Sequence, residues 1–271
     1  RIGAPAAGPD AGQPQGTGQA QRSASIPRAA VDGCAQLPVP SLGRGAAPVA
    51  VSMLPAGRQA PLPERLIGLG VPSWLATRAT ATDSYAAIAG TLTDLPAAPS
   101  APAGPGEVLV ILGDVAGAVA VARTVLTALR LDTDALAVAG PNTVALPGSC
   151  RLTGQTDAGR WAARLRMGDT PGVVVVEADL DTRTSGWVRS IVAAVGAVAV
   201  WAVLDATRKT ADCARWLDTL GTVDALAVHG TSGTADPASV LALGLPVAML
   251  DGHPATPHAW AALLCRRLAE S

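Results

Sequence analysis

The chain has 271 residues, 49% of them apolar, enough for one or two folded domains with a sizeable core. Twenty basic and 21 acidic side chains leave a formal net charge of −1, which argues against a general electrostatic role on nucleic acid or anionic lipid and leaves room only for a local patch. The basic residues are almost all Arg, and Lys209 is the one Lys, so any site that requires Lys has a single candidate.

Cys34, Cys150, Cys213 and Cys265 are scattered, with no CxxC pair and no His at ligand spacing. That is the pattern of bystander thiols in a cytoplasmic protein, and it fits neither a zinc site nor a disulfide framework. The chain opens at Arg1 instead of Met and without a signal-peptide pattern, so a fragment with a missing upstream segment is expected. The most apolar run, Ile191 to Leu204, is shorter than the roughly 20 residues a spanning helix needs. No transmembrane segment is expected.

Residues 1–60 are rich in Pro, Gly, Ala, Gln and Ser, have no apolar period, and predict a disordered segment. Residues 61–105 predict a small helical domain with its linker. Leu62, Leu66 and Leu69 share helical spacing, Gly70 and Pro72 stop that helix, a second starts at Ser73, and Asp83 can cap a third. The stretch from Pro96 to Gly106 has the composition of a hinge.

From residue 106 to 271, short apolar runs alternate with helical segments. Strands are expected at Val108 to Leu112, Ala135 to Ala139, Val173 to Glu177, Ala197 to Leu204, Ala225 to His229 and Val247 to Leu250. Helices are expected at Val115 to Leu129, Asp157 to Leu165, Gly186 to Val195, Ala211 to Leu220, Pro237 to Leu243 and Pro257 to Ala269. The fold class is therefore α/β, a mostly parallel sheet with helices on both faces. Ligands in such folds bind beyond the carboxyl ends of the strands, so the residues that follow each strand are the informative ones.

The first strand runs into Gly113-Asp114-Val115-Ala116-Gly117-Ala118-Val119-Ala120. A phosphate loop has the form GxxxxGK(S/T): glycines admit backbone N–H groups to the phosphates, Lys neutralises charge and the hydroxyl holds magnesium. Aligned at Gly113, the second glycine is Ala118, the Lys is Val119 and the hydroxyl is Ala120. Asp114 adds a negative charge that repels phosphate, and Arg123, one turn further on, is a poor substitute for the Lys. A dinucleotide fingerprint fits no better. It needs G-x-G-x-x-G and an acid at the end of the second strand, but that strand ends at Gly140-Pro141-Asn142, and Asp132 and Asp134 precede it.

Glu177, Asp179 and Asp181 follow the third strand, where magnesium-binding acids could sit; a solvated loop near a helix N-terminus explains them better. After the fourth come Asp205, Thr207, the basic pair Arg208 and Lys209 as residual anion contacts, and Thr210 as a helix cap. His229 and Ser232 after the fifth do not form a GxSxG elbow, and His253 and His258 supply at most two metal ligands.

Taken together, these segments resemble the GTPase family of the signal recognition particle (SRP) and its receptor, with its flagellar FlhF-type branch. "LPERLIGLGVPSWLA" resembles the N-domain helix with its "LGVP..LA" signature, "VWAVLDATRKTADCARWLDTL" a segment of the G domain, and "LGLPVAMLDGHPATP", with Gly252, the closing motif. The resemblance spans about Leu62 to Leu268 and implies a helical N domain joined to a Ras-like G domain. Its nucleotide motifs do not match: Glu177 stands for the acid of DTAG, Leu180 for its glycine, and His229-Gly230-Thr231-Ser232 for the guanine-reading TKLD. The implied protein is a catalytically inactive pseudo-GTPase, a binding or regulatory module in protein targeting or flagellar and polar placement. It is expected to need no cofactor. Its expected partner is an SRP/FlhF-type GTPase or polar component, paired as a homo- or heterodimer through the G-domain face. The expected location is cytoplasmic, with peripheral contact at the inner membrane face left open. Two alternatives stand beside it: a nucleotide binder or weak GTPase holding GTP or GDP with magnesium through Arg123, Arg208, Lys209 and the Glu177 to Asp181 acids, and a Rossmann-like dinucleotide-binding protein.

Overall fold

The computed structural model describes residues 60–79, 84–140, 148–178 and 185–270. The expectations for residues 1–59, for the Asp83 cap, and for residues 141–143, Asp179, Leu180 and Asp181 fall outside that set.

Eight strands form one sheet: β1 (Val108–Gly113), β2 (Leu136–Ala139), β3 (Cys150–Leu152), β4 (Gly172–Glu177), β5 (Ala199–Asp205), β6 (Ala225–His229), β7 (Val247–Leu250) and β8 (His253–Pro254), in the order β3-β2-β4-β1-β5-β6-β7-β8. Every pairing is parallel except β7–β8. The six expected strands are all present. The two outermost ones carry no sequence signal: β3 is three residues long with an exposed Arg151 at its centre, and β8 is two residues ending in a proline. The fourth expected strand starts two residues late, at Ala199, because Val198 is solvent-exposed after the Gly196 turn. Ala135 belongs to a 3₁₀ turn before β2.

The helices are α1 (Leu62–Gly68), α2 (Ser73–Ala76), α3 (Ser84–Leu92), α4 (Val115–Leu129), α5 (Gln155–Met167), α6 (Ser185–Val195), α7 (Thr210–Leu220) and α8 (Pro257–Glu270). Side chains alternate across each strand, so the sheet sorts its residues into two cores. Leu109, Ile111, Val173, Val175, Trp201 and Val203 face α4, which buries Ala118, Val119, Ala122, Val125 and Leu126 against them. Val110, Leu112, Val174, Val176, Ala202 and Leu204 face the opposite way, into the core shared with α5 to α8 and with Leu66, Leu75, Ile88 and Leu92 of the N-terminal helices. Ser239–Leu243 is a 3₁₀ turn and not the α-helix expected from Pro237. Gly244, left-handed at φ 72°, ends that turn.

The N-terminal helices dock on this second core through named contacts. The Arg65 guanidinium donates to the Leu268 carbonyl at 2.6 Å, and the Ala238 amide donates to the Leu69 carbonyl at 3.0 Å. Gly70, at φ 86°, lies so close that a side chain there would begin 2.5 Å from the Ser239 nitrogen. The segment from Pro96 to Gly106 is not a free hinge. Ala98 and Ala101 pack against the α4-side core, and Pro102 and Gly106 are buried. The Gly106 amide donates to the Thr170 carbonyl at 3.2 Å. Small alanines and backbone fixed by proline let an extended segment lie flat on the sheet.

Candidate functional site at the strand ends

β1 is flanked by β4 and β5, so the chain builds one side of the sheet, then crosses over β1 to build the other. The crevice beyond the carboxyl ends of β1 and β5 is therefore the topological switch point where α/β folds place ligands. A Rossmann half would set β2 beside β1; here β4 lies between them, which disfavours the dinucleotide alternative.

A cavity of about 380 Å³ opens at this point, with Asp114, Asp205, Arg208 and His229 as its polar lining and Val203 and Trp216 among its apolar walls. Asp114 is the one residue between β1 and α4. It adopts an extended conformation (φ −62°, ψ 145°), and its Oδ1 accepts from the Gly117 amide at 2.9 Å, making it the N-cap of α4. The carboxylate thus occupies the helix end at which a phosphate loop receives phosphate. A loop of the GxxxxGK(S/T) kind holds four residues between its glycines, whereas Val115, Ala116 and Gly117 are already helical here. Ala118 and Val119 point into the α4-side core, and Ala120 and Arg123 are exposed along α4. Position 119, where the loop would carry Lys, faces the sheet and not the strand ends.

Asp205 ends β5. Its Oδ1 accepts from the Thr207 amide at 2.9 Å and the Thr207 hydroxyl at 2.7 Å. Burial pushes its carboxyl up, but those hydrogen bonds, with His229 and Arg208 nearby, outweigh burial and hold it below the usual carboxylate range. His229 ends β6 in register with Asp205, and its buried Nε2 has no hydrogen-bond partner. Glu177 ends β4 in register with Gly113 and is buried. Cys213, on α7, also lines the cavity; burial pushes its thiol up, away from the reactive thiolate. Arg208 lines the cavity, but Lys209 does not; Lys209 is the exposed N-cap position of α7, so Thr210 is that helix's first residue and not its cap.

The loop that follows β6 is held by internal partners. Thr231 is fully buried and donates its hydroxyl to the Asp251 carboxylate. Arg267 of α8 donates to the carbonyls of Thr231 (3.5 Å), Ser232 (3.4 Å) and Thr234. Ser232 is exposed on a 3₁₀ turn and Gly252 on the turn into β8, both away from the cavity lining. Thus Asp114, Asp205, Arg208 and His229 line the cavity and Gly113, Gly117 and Glu177 sit at the adjoining strand and helix ends, while Arg123, Lys209, Ser232 and Gly252 are not part of its lining. Trp216, whose buried Nε1 also lacks a partner, escaped sequence reasoning because it lies two turns into α7. Among the described residues no group of His, Cys, Asp and Glu is placed to hold a metal ion. No described helix is long and apolar enough to cross a membrane.

No family model matches the sequence, and no curated protein does. Solved structures do match. FlhF complexed with GMPPNP and magnesium superimposes with a TM-score of 0.53 at 12% identity, over 76% of this chain and 98% of that one. The signal recognition particle receptor FtsY from Elizabethkingia anophelis gives 0.55 at 16%, over 75% and 82%. The signal recognition particle 54 kDa protein from Aeropyrum pernix, complexed with GDP, gives 0.53 at 14%, over 77% and 64%.

The chain has the fold of the SRP-type GTPases. The SRP-type fold accounts for the helices α1 to α3 preceding a parallel sheet, and for the cavity at the switch point. Within this fold a carboxylate caps α4, the valine at position 119 faces the core, and position 120 is an alanine without a hydroxyl.

Proposed function

We propose that the protein is a catalytically inactive SRP/FlhF-like pseudo-GTPase that acts as a protein-binding or regulatory module. The observation that carries this is the junction of β1 and α4, where the Asp114 carboxylate occupies the helix N-terminus and a single residue replaces the phosphate loop. An anion brought there would meet like charge and would have to displace an existing cap. No nucleotide cofactor is needed in this reading. What the fold retains is a rigid sheet end, a basic residue at its rim and a docked helical domain. These suit pairing with a second GTPase-fold protein, an active relative or a polar component, in the cytoplasm or at the inner face of the membrane.

Calorimetric titration with GTP, GDP and ATP in the presence of magnesium tests the proposal. No saturable heat is expected up to millimolar nucleotide, and micromolar binding of any of the three would sink it. A weak nucleotide binder with non-standard contacts is the rival, and Arg208 is the one arginine among the described residues that line the cavity. Phosphate release that disappears in Arg208→Ala would favour that rival.

A further inference from the structure

We propose that the cavity at the β1–β5 switch point binds a small zwitterion of the amino-acid class. The inference rests on the pseudo-GTPase reading, because it requires a site freed from phosphate. Two kinds of unspent hydrogen-bonding capacity meet in one cavity of about 380 Å³. On the accepting side, Asp114 and Asp205 each commit Oδ1 to their own loops, which leaves Oδ2 of both for a ligand. His229 Nε2 is buried without a partner and accepts when the proton sits on Nδ1. Asp114 Oδ2 and His229 Nε2 lie 2.7 Å and 3.2 Å from the point where a Gly117 side chain would begin, so the two acceptors are neighbours beside α4, near enough for one ammonium with several N–H donors to reach both. An ammonium has three N–H donors in a tripod and is the group that matches a converging set of acceptors with net negative charge.

On the donating side, Trp216 is 6% exposed, and its Nε1–H has no acceptor. The Arg208 guanidinium at the rim has no hydrogen bond or ion pair among the described residues. These donors need an acceptor that an amine alone lacks and a carboxylate supplies. Leaving a buried polar atom unpaired forfeits its hydration with nothing in return, so two such atoms in one cavity favour an occupant that satisfies both. Anions such as phosphate satisfy only the donors and meet two carboxylates. Simple amines satisfy only the acceptors.

Calorimetry on the full chain with the twenty standard L-amino acids, each beside its N-acetyl derivative, tests the proposal. At least one amino acid is expected to saturate with a Kd below about 1 mM, and N-acetylation, which removes the ammonium, weakens it by about ten-fold or more. Asp114→Asn keeps the acceptor for Gly117 and so the helix cap, yet is expected to weaken binding by about ten-fold, as is Arg208→Ala at its exposed position. If no amino acid saturates, if the N-acetyl compounds bind as well, or if both variants bind like the wild type, the proposal is overturned, and ordered water is the better account of the unpaired atoms. GTP binding in the same cell would overturn the pseudo-GTPase reading as well; failure with amino acids alone leaves that reading standing.

Discussion

Gly70→Ala is the substitution whose cost the geometry specifies most fully. Gly70 sits at φ 86°, a region that costs an L-residue about 1–2 kcal/mol. The added methyl would begin 2.5 Å from the Ser239 nitrogen and 2.9 Å from the Asp236 carbonyl oxygen, both backbone atoms that no rotamer change can move away. Relieving that overlap means pushing the 235–239 loop off the N-terminal helices. The neighbouring Ala238-to-Leu69 hydrogen bond is then lost, at about 1 kcal/mol. Strain and lost docking together come to about 3 kcal/mol, or roughly 6–12 °C in melting temperature for a domain of this size. Two residues earlier, Gly68 ends α1 with nothing within 4 Å of its side-chain position. Gly68→Ala is accordingly expected to raise stability by about 0.5 kcal/mol through helix propensity. Scanning calorimetry and urea titration of both variants decide the matter. A loss below about 1 kcal/mol in Gly70→Ala, or an equal loss in Gly68→Ala, would refute the close-approach argument.

Three further outcomes follow from the site. Val119→Lys, which restores the sequence of a phosphate loop at one position, places an ammonium in the α4-side core; it is expected to destabilise by about 3 kcal/mol and to confer no GTP affinity, and nucleotide binding by the variant would contradict the assigned helix register. Arg267→Ala removes the donor to three loop carbonyls, with an expected loss of about 1–3 kcal/mol and faster amide exchange over residues 230–234; unchanged exchange there would show that the loop does not depend on α8. Asp205 has a folded pKa below its unfolded value of about 3.9, so its stabilisation is complete above that value and is lost as pH falls through the folded pKa. Asp205→Asn should therefore flatten the acid limb of the stability curve below about pH 4, and an unaltered acid limb in urea titrations would argue against the Thr207 contacts.

The alternation of apolar runs and helical segments placed six strands within two residues of their observed starts, because a strand covered on both faces must be apolar throughout. It could not reveal β3 or β8, whose residues are held by their neighbours and not by a pattern of their own. That position 119 carries no Lys and position 120 no hydroxyl was legible in the sequence. The reason for Asp114 was not: charge alone marked it as a repulsive loop residue, whereas in the fold it is a helix cap, a role that depends on α4 beginning immediately after it. The cavity itself was half visible. Asp205 and His229 stood out as strand-end residues, but Trp216 joins them only through the packing of α7. The Pro- and Ala-rich composition at 96–106 read as a hinge because nothing in it shows that alanine is small enough to lie flat on a sheet.

That same segment limits how the protein can associate. It leaves α3, on one side of the sheet, and reaches the α4 side by way of a groove that Pro96, Ala97 and Ala98 share with Val247, Pro254 and Ala255. The chain is belted around the β7–β8 margin, which presents a two-residue strand ending in proline. At the other margin, β3 offers only three residues. Among the described residues, neither rim supplies the long run of free backbone groups that strand addition by a partner requires. Growth of the sheet into a larger assembly is disfavoured from both sides, and a partner is left to meet the helices or the open strand ends.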